Sequence, residues 1–253
     1  MRPMHKILPL LLVGLFLAPA VLDASNPTAQ DKENYERLIE ILFAGTEDNK
    51  KIAKDTLRHM GEVGIKLLKD DCRDVTTVRG AFAWALLKEF TGPTDPESLR
   101  EFARKGLVNV AKEWSRTYGD KKDKGEKPRR LQQIVSDYVE LLTTSPKESD
   151  FDVLLKALKY SLISEDARLD YGGEFEIWQK VWTCLGDKVR ATKSVRDIRS
   201  WQKTVDAHFR YYSQRKAFVD RKTIQQYHTM TLVFIHRMNQ IKEEEEFQKM
   251  QEK

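Results

Sequence analysis

From Asp187 to Lys253 the chain runs for 67 residues with neither a glycine nor a proline. A sheet of that length needs tight turns, and tight turns need residues that tolerate unusual backbone angles. The region is therefore confined to long helices joined by ordinary residues. Within it Ile224, Tyr227, Thr231, Phe234, Met238 and Ile241 recur at three and four residues, which places them along one seam. The seam spans fewer than three heptads, so it predicts a long-helix hairpin folded onto the rest of the protein rather than an intermolecular coiled coil. The charged tail 243–253 keeps almost no apolar seam and is expected to fray or extend into solvent.

The same period runs through nearly everything after residue 30. Tyr35, Leu38, Ile39, Leu42 and Phe43 sit three and four apart in the stretch 31–44, and further apolar stripes follow at 52–60, 63–68, 131–142, 151–163 and 175–185. No alternating run is long enough for a strand. Asp95-Pro96-Glu97 is a strong helix start, with a cap, a proline at the first helical position and an acid in the first turn. Asp74 is the expected cap of the helix that follows it. The tract "GDKKDKGEKPRR", 119–130, has no apolar residue and reads as a solvated loop between a first helical region, 31–118, and a second, 129–242.

The stretch "VRGAFAWALLKEF", 78–90, threads Gly80, Ala81, Ala83 and Ala85 among Phe82, Trp84, Leu86 and Leu87. It is apolar all round, and a helix of that kind is covered on several sides. Small residues let neighbouring backbones approach while the large ones fill the remaining space.

The first 24 residues are of a different material. Arg2 and Lys6 precede the apolar run 7–17, and Ala18, Ala20 and Ala24 follow, which is the order of a secretory signal peptide. The apolar stretch to Leu22 contains Pro9, Gly14 and Pro19 and falls short of the roughly 20 residues of a spanning helix. Cleavage after Ala20 or Ala24 is expected, giving an exported protein, periplasmic or extracellular, with no stable membrane span; an uncleaved signal anchor is the alternative. Loss of Arg2, Lys6 and Asp23 lowers the formal charge from +5 to +4, too little to name a polyanionic partner. In an oxidising compartment Cys72 and Cys184 are candidates for one disulfide, the other reading being two buried thiols.

Ile52-Ala53 with Leu57 matches Phe82-Ala83 with Leu87 thirty residues on, with "MGEVGIKLLKDDCRDV" between. This resembles the HEAT-like α-helical repeat family over residues 49–90, and more weakly to Trp114. The resemblance implies an all-α fold of stacked antiparallel helix pairs, an α-solenoid, and a scaffold or interaction module rather than a reaction; a fold analogy transfers no function by itself. Residues 130–253 show no clear copy of the unit.

Little in the chain points to catalysis. There is no H-E-x-x-H, G-x-S-x-G, P-loop or dinucleotide fingerprint. His59, His208, His228 and His236 are scattered, and the last two are too far apart on a helix to chelate a metal by themselves. Glu174 with Glu176, and Asp166 with Asp170, are carboxylate pairs, but acids in a first helical turn are explained by the helix dipole. No catalytic residue, cofactor or metal ligand is assigned. The most specific chemistry is basic: residues 188–222 carry eleven lysines and arginines against Asp197, Asp206 and Asp220. Arg196, Arg199, Lys203 and Arg210 fall on one stripe opposite Ile198, Trp201, Val205, Phe209 and Tyr212. The expectation is an exported, non-catalytic protein-binding or scaffolding module. A polyanion-binding surface on that stripe, for acidic polysaccharide, anionic lipid or nucleic acid, is one alternative, and a helical enzyme with a site assembled from distant residues is the other.

Overall fold

A computed structural model describes residues 26–91, 95–119, 126–158, 160, 174–215 and 221–251. The leader 1–24, Gly172-Gly173, Asp166 and Asp170 lie outside the described residues. Among those described there are ten α-helices, one short 3₁₀ turn and no strand, so the fold is all-α. The described residues divide into two compact units that part between Leu67 and Leu68.

The first unit contains α1 (Ala29–Ala44), α2 (Glu47–His59) and most of α3 (Gly61–Asp71). Thr28 starts α1 with a reciprocal pair of bonds: its hydroxyl accepts from the Asp31 amide at 3.1 Å, and the Asp31 carboxylate accepts from the Thr28 amide at 2.8 Å. That is a capping box with aspartate in the third place. Thr46 begins α2 in the simpler way. α1 and α2 pack together, burying Tyr35, Ile39, Leu42, Ala53 and Leu57. Phe43 and Ile52, which the periodicity places on the apolar stripe, are exposed.

The second unit opens with a 3₁₀ turn, Cys72–Asp74, and α4 (Val78–Thr91). The cap of α4 is Thr77 rather than Asp74: the Thr77 hydroxyl accepts from the Gly80 amide at 3.0 Å. Asp74 instead shapes the approach, its carboxylate accepting from the Thr76 amide and its carbonyl from the Thr77 hydroxyl. α4 buries Ala81, Ala83, Trp84, Leu86 and Leu87. The Trp84 indole donates to Asp137 at 3.0 Å and meets Tyr138 edge-on, with centroids 4.8 Å apart.

α5 (Pro96–Gly119) starts as expected, Asp95 accepting from the Ser98 amide at 3.0 Å. Its most extensive partner is α6 (Glu126–Thr143), on the far side of the charged tract. Gly106 permits this approach, since a Cβ there would lie 2.7 Å from the Tyr138 ring. The tract therefore joins two antiparallel neighbours instead of separating two regions, and its last five residues belong to α6. Then follow α7 (Glu148–Leu158), α8 (Glu174–Ala191), α9 (Val195–Arg215) and α10 (Arg221–Gln251). α5 contacts α7, and α7 contacts α9; α6 contacts α8, and α8 contacts α10; each of α5, α7 and α9 also contacts its successor in sequence. Trp114 of α5 stacks on Trp178 of α8 at 6.5 Å. The α10 seam is buried as expected at Phe234 and Ile241, with Met230 added. Beyond Ile241 the helix continues, exposed, to Gln251, so the charged tail is helical as far as it is described.

Among the described glycines Gly80 has the least room: a Cβ there would lie 2.0 Å from the Asp74 carbonyl oxygen, a backbone atom. Alanine would gain about 1 kcal/mol in helix propensity, yet the forced shift of the turn costs about 1–3 kcal/mol. Gly80→Ala is expected to lower the denaturation midpoint, and a raised midpoint in urea would contradict the close approach.

Candidate functional site

α9 presents its two faces as the spacing requires. Arg196, Arg199, Lys203 and Arg210 are all exposed, while Ile198 and Val205 are buried and Trp201 and Phe209 are half-buried. Among the described residues no ion pair engages Arg196, Arg199 or Lys203. The aromatic side serves the junction with α10: Phe209 stacks on Tyr227 at 4.0 Å, and the Tyr227 hydroxyl donates to Asp206 at 2.5 Å. The hydrogen bond to that carboxylate, followed by desolvation, raises the Tyr227 pKa. The side chain of Tyr212 lies outside the described residues. Rings and charges thus stand on opposite sides, which suits attraction of a negative surface and gives no platform for stacking bases.

A cleft of about 400 Å³ lies between α8 and α10. Trp182 and Val233 supply apolar wall, Gln179, Gln225 and Thr229 supply amide and hydroxyl groups, and Arg190, paired with Asp187 at 2.7 Å, also lines it. Sequence reasoning missed it because its two sides are some forty residues apart and carry no motif. Its lining offers amide and hydroxyl groups, one guanidinium and one indole.

The strongest electrostatic cluster is elsewhere. Asp150, in the first turn of α7, has no exposed surface. Arg100 and Arg104 of α5 donate to its two oxygens at 2.9 and 2.6 Å, and the Lys147 amide adds a third bond at 2.7 Å. Arg100 also donates to the carbonyls of Thr144 and Ser145 just past α6. Burial opposes the charge on Asp150, but the bonds from Arg104, the Lys147 amide and Arg100 outweigh it and hold the carboxyl below its ordinary pKa of 3.8. Beside it, hydrogen bonds from Lys147 and Arg104 lower Glu97 to about 2. Every oxygen of Asp150 is engaged by the protein, so the cluster ties helices together and offers no free base.

The other candidates stay apart. Glu176, His59, His228 and His236 are exposed, the side chains of Glu174 and His208 lie outside the described residues, and no group of three metal-ligating side chains gathers among those described. Cys72 and Cys184 are both free and buried, Cys72 opening the 3₁₀ turn after α3 and Cys184 within α8. Burial, then the charge of Asp71, raises the Cys72 thiol far above the usual range; burial, then Asp187, raises Cys184 to about 11. Thiols so protonated are poor nucleophiles. No protein-family model, curated protein or solved structure matches this chain.

Removing one member of a buried charge pair costs about 3–5 kcal/mol, because the partners keep their desolvated charge. Asp150→Asn is therefore expected to destabilise by about 3 kcal/mol at neutral pH. The native pKa lies below the unfolded value, so the stabilisation is present above about pH 4 and drains away as pH falls through the native pKa. Urea titrations should show the gap between wild type and variant narrowing in acid; a gap independent of pH would assign the loss to packing.

Proposed function

We propose that the chain is an exported, non-catalytic binding module built as an α-solenoid of HEAT-like helix pairs, and that its partner is another protein. The observation that carries this reading is the order of contacts in the second unit, where α5, α7 and α9 touch in succession and so do α6, α8 and α10. Elements that pack mostly on near neighbours leave long helical faces open, and such faces are the binding surfaces of repeat proteins. The resemblance at residues 49–114 and the signal-like leader support the same reading. No described helix is long and apolar enough to cross a membrane. The protein is expected in the cell envelope or medium with its first residue following Ala20 or Ala24. A partner captured there should rebind the purified protein saturably; if no captured protein does so, the reading fails.

The second reading, a polyanion-binding strip, is favoured by the exposure of Arg196, Arg199 and Lys203 on one side of α9, with no ion pair to them among the described residues. Each phosphate or sulfate contact steepens the dependence of affinity on salt. Retention on heparin at low ionic strength is expected to weaken when Arg196, Arg199, Lys203 and Arg210 are replaced by alanine, with a shallower salt slope. Equal retention of the variant would assign binding to another surface.

A further inference from the structure

The cleft between α8 and α10 is built from one stripe of each helix. Gln179, Trp182, Gly186 and Arg190 recur at three and four residues along α8, and Gln225, Thr229 and Val233 at four along α10, so each set shares a face. The α10 stripe runs about 12 Å, and the open space of about 400 Å³ is that of a small-molecule site.

One wall of the cleft is a buried glycine that close packing does not require. A Cβ on Gly80 or Gly106 would strike a carbonyl or a ring, at 2.0 and 2.7 Å. On Gly186 the nearest atoms would be the tips of Arg190 and Met230, at 3.6 and 3.8 Å. Those are ordinary contacts, and alanine inside a helix is favoured over glycine by about 1 kcal/mol. What a side chain at 186 would take away is the space beside the Arg190 guanidinium, inside the cleft.

The lining suits a hydroxyl-rich ligand. Among the described residues no hydrogen bond engages the side-chain amides of Gln179, Gln225 and Gln226, and each amide offers two donors and an acceptor. The Thr229 hydroxyl gives its proton to the Gln225 carbonyl at 2.9 Å, which leaves its lone pairs to accept. Trp182 is half-buried and adds a flat apolar surface with an electron-rich face. Arg190 is the one ionisable group among the described lining residues. Asp187 balances its charge at 2.7 Å and uses one nitrogen of the guanidinium, so the other N–H groups remain as donors.

We propose that this cleft binds a neutral saccharide, one sugar ring lying against Trp182. Around its edge a sugar ring carries hydroxyls that both donate and accept, matching the amides. On its face it carries C–H groups, slightly positive, that meet the negative face of the indole. An extended peptide would need a sheet edge and a helical one an apolar groove; there is no strand among the described residues, and much of this wall is amide. A phosphate or an acidic sugar would approach the Asp187 carboxylate as well as Arg190 and gain little net attraction. The site shares no residue with the basic stripe of α9 and does not rest on a protein partner.

Calorimetric titration of the purified protein tests this, with neutral trisaccharides of glucose, mannose, galactose and N-acetylglucosamine as probes and trigalacturonate beside them. At least one neutral trisaccharide is expected to bind with a Kd of about 1 mM or tighter, nearly unchanged between low and high salt. Trp182→Ala removes the stacking surface and Gly186→Leu fills the cleft, and each should weaken binding about tenfold or more. Gln225→Leu, at an exposed position, should weaken it about fivefold without altering the thermal melt, and it decides the matter if the other two do not fold. No binding of any neutral trisaccharide at about 10 mM, equal binding by the folded variants, or binding of trigalacturonate alone with a steep salt dependence would overturn the proposal.

Discussion

One buried carboxylate organises the second unit. Asp150 accepts from Arg100, Arg104 and the Lys147 amide, and Arg100 continues to the carbonyls that leave α6. Three elements are fixed at one point: the first turns of α5, the exit of α6 and the entry of α7. A charge inside a protein is costly unless its oxygens are fully matched, and matching here depends on two arginines one helical turn apart. The requirement sets both the register of α5 against α7 and the sharp turn at Ser145, which adopts a left-handed φ of 54°. The later helices are laid on this corner.

How far the fold is legible from residue order depends on the range of the interaction concerned. Amphipathic period is local, and it placed helices where α1, α2, α6 and α9 are found. Caps are local too, and Asp95 was readable for that reason. Asp74 and Thr77 show the limit: both are good caps three residues apart, and only the close approach of Gly80 to the Asp74 carbonyl decides which one ends as cap. Phe43 and Ile52 carry apolar side chains at helical spacing but stand exposed, since period tells which residues share a face and not whether anything covers it.

The longer-range features left no trace in composition. The two arginines precede Asp150 by 46 and 50 residues, and nothing about a single aspartate in a first helical turn separates a surface acid from a buried anchor. The cleft between α8 and α10 is assembled in the same way. The tract 119–130 shows the same limit: charge and glycine mark a connection in the sequence but do not say that α5 and α6, on either side of it, pack together. The basic stripe of α9 was legible because all four residues lie on one helix, so a single angular rule puts them together.

The order of contacts from α5 to α10 bears on how this chain reaches its folded state. Most of its packing joins helices one or two places apart in sequence, so little chain must be closed into a loop before each contact is made. Loop closure is the slow and entropically costly part of folding, and chains with such local contacts fold fast for their size. The second unit can therefore assemble as it emerges in N-to-C order, each new helix finding its seat already built. The corner at Asp150 is completed before α8, α9 and α10 arrive.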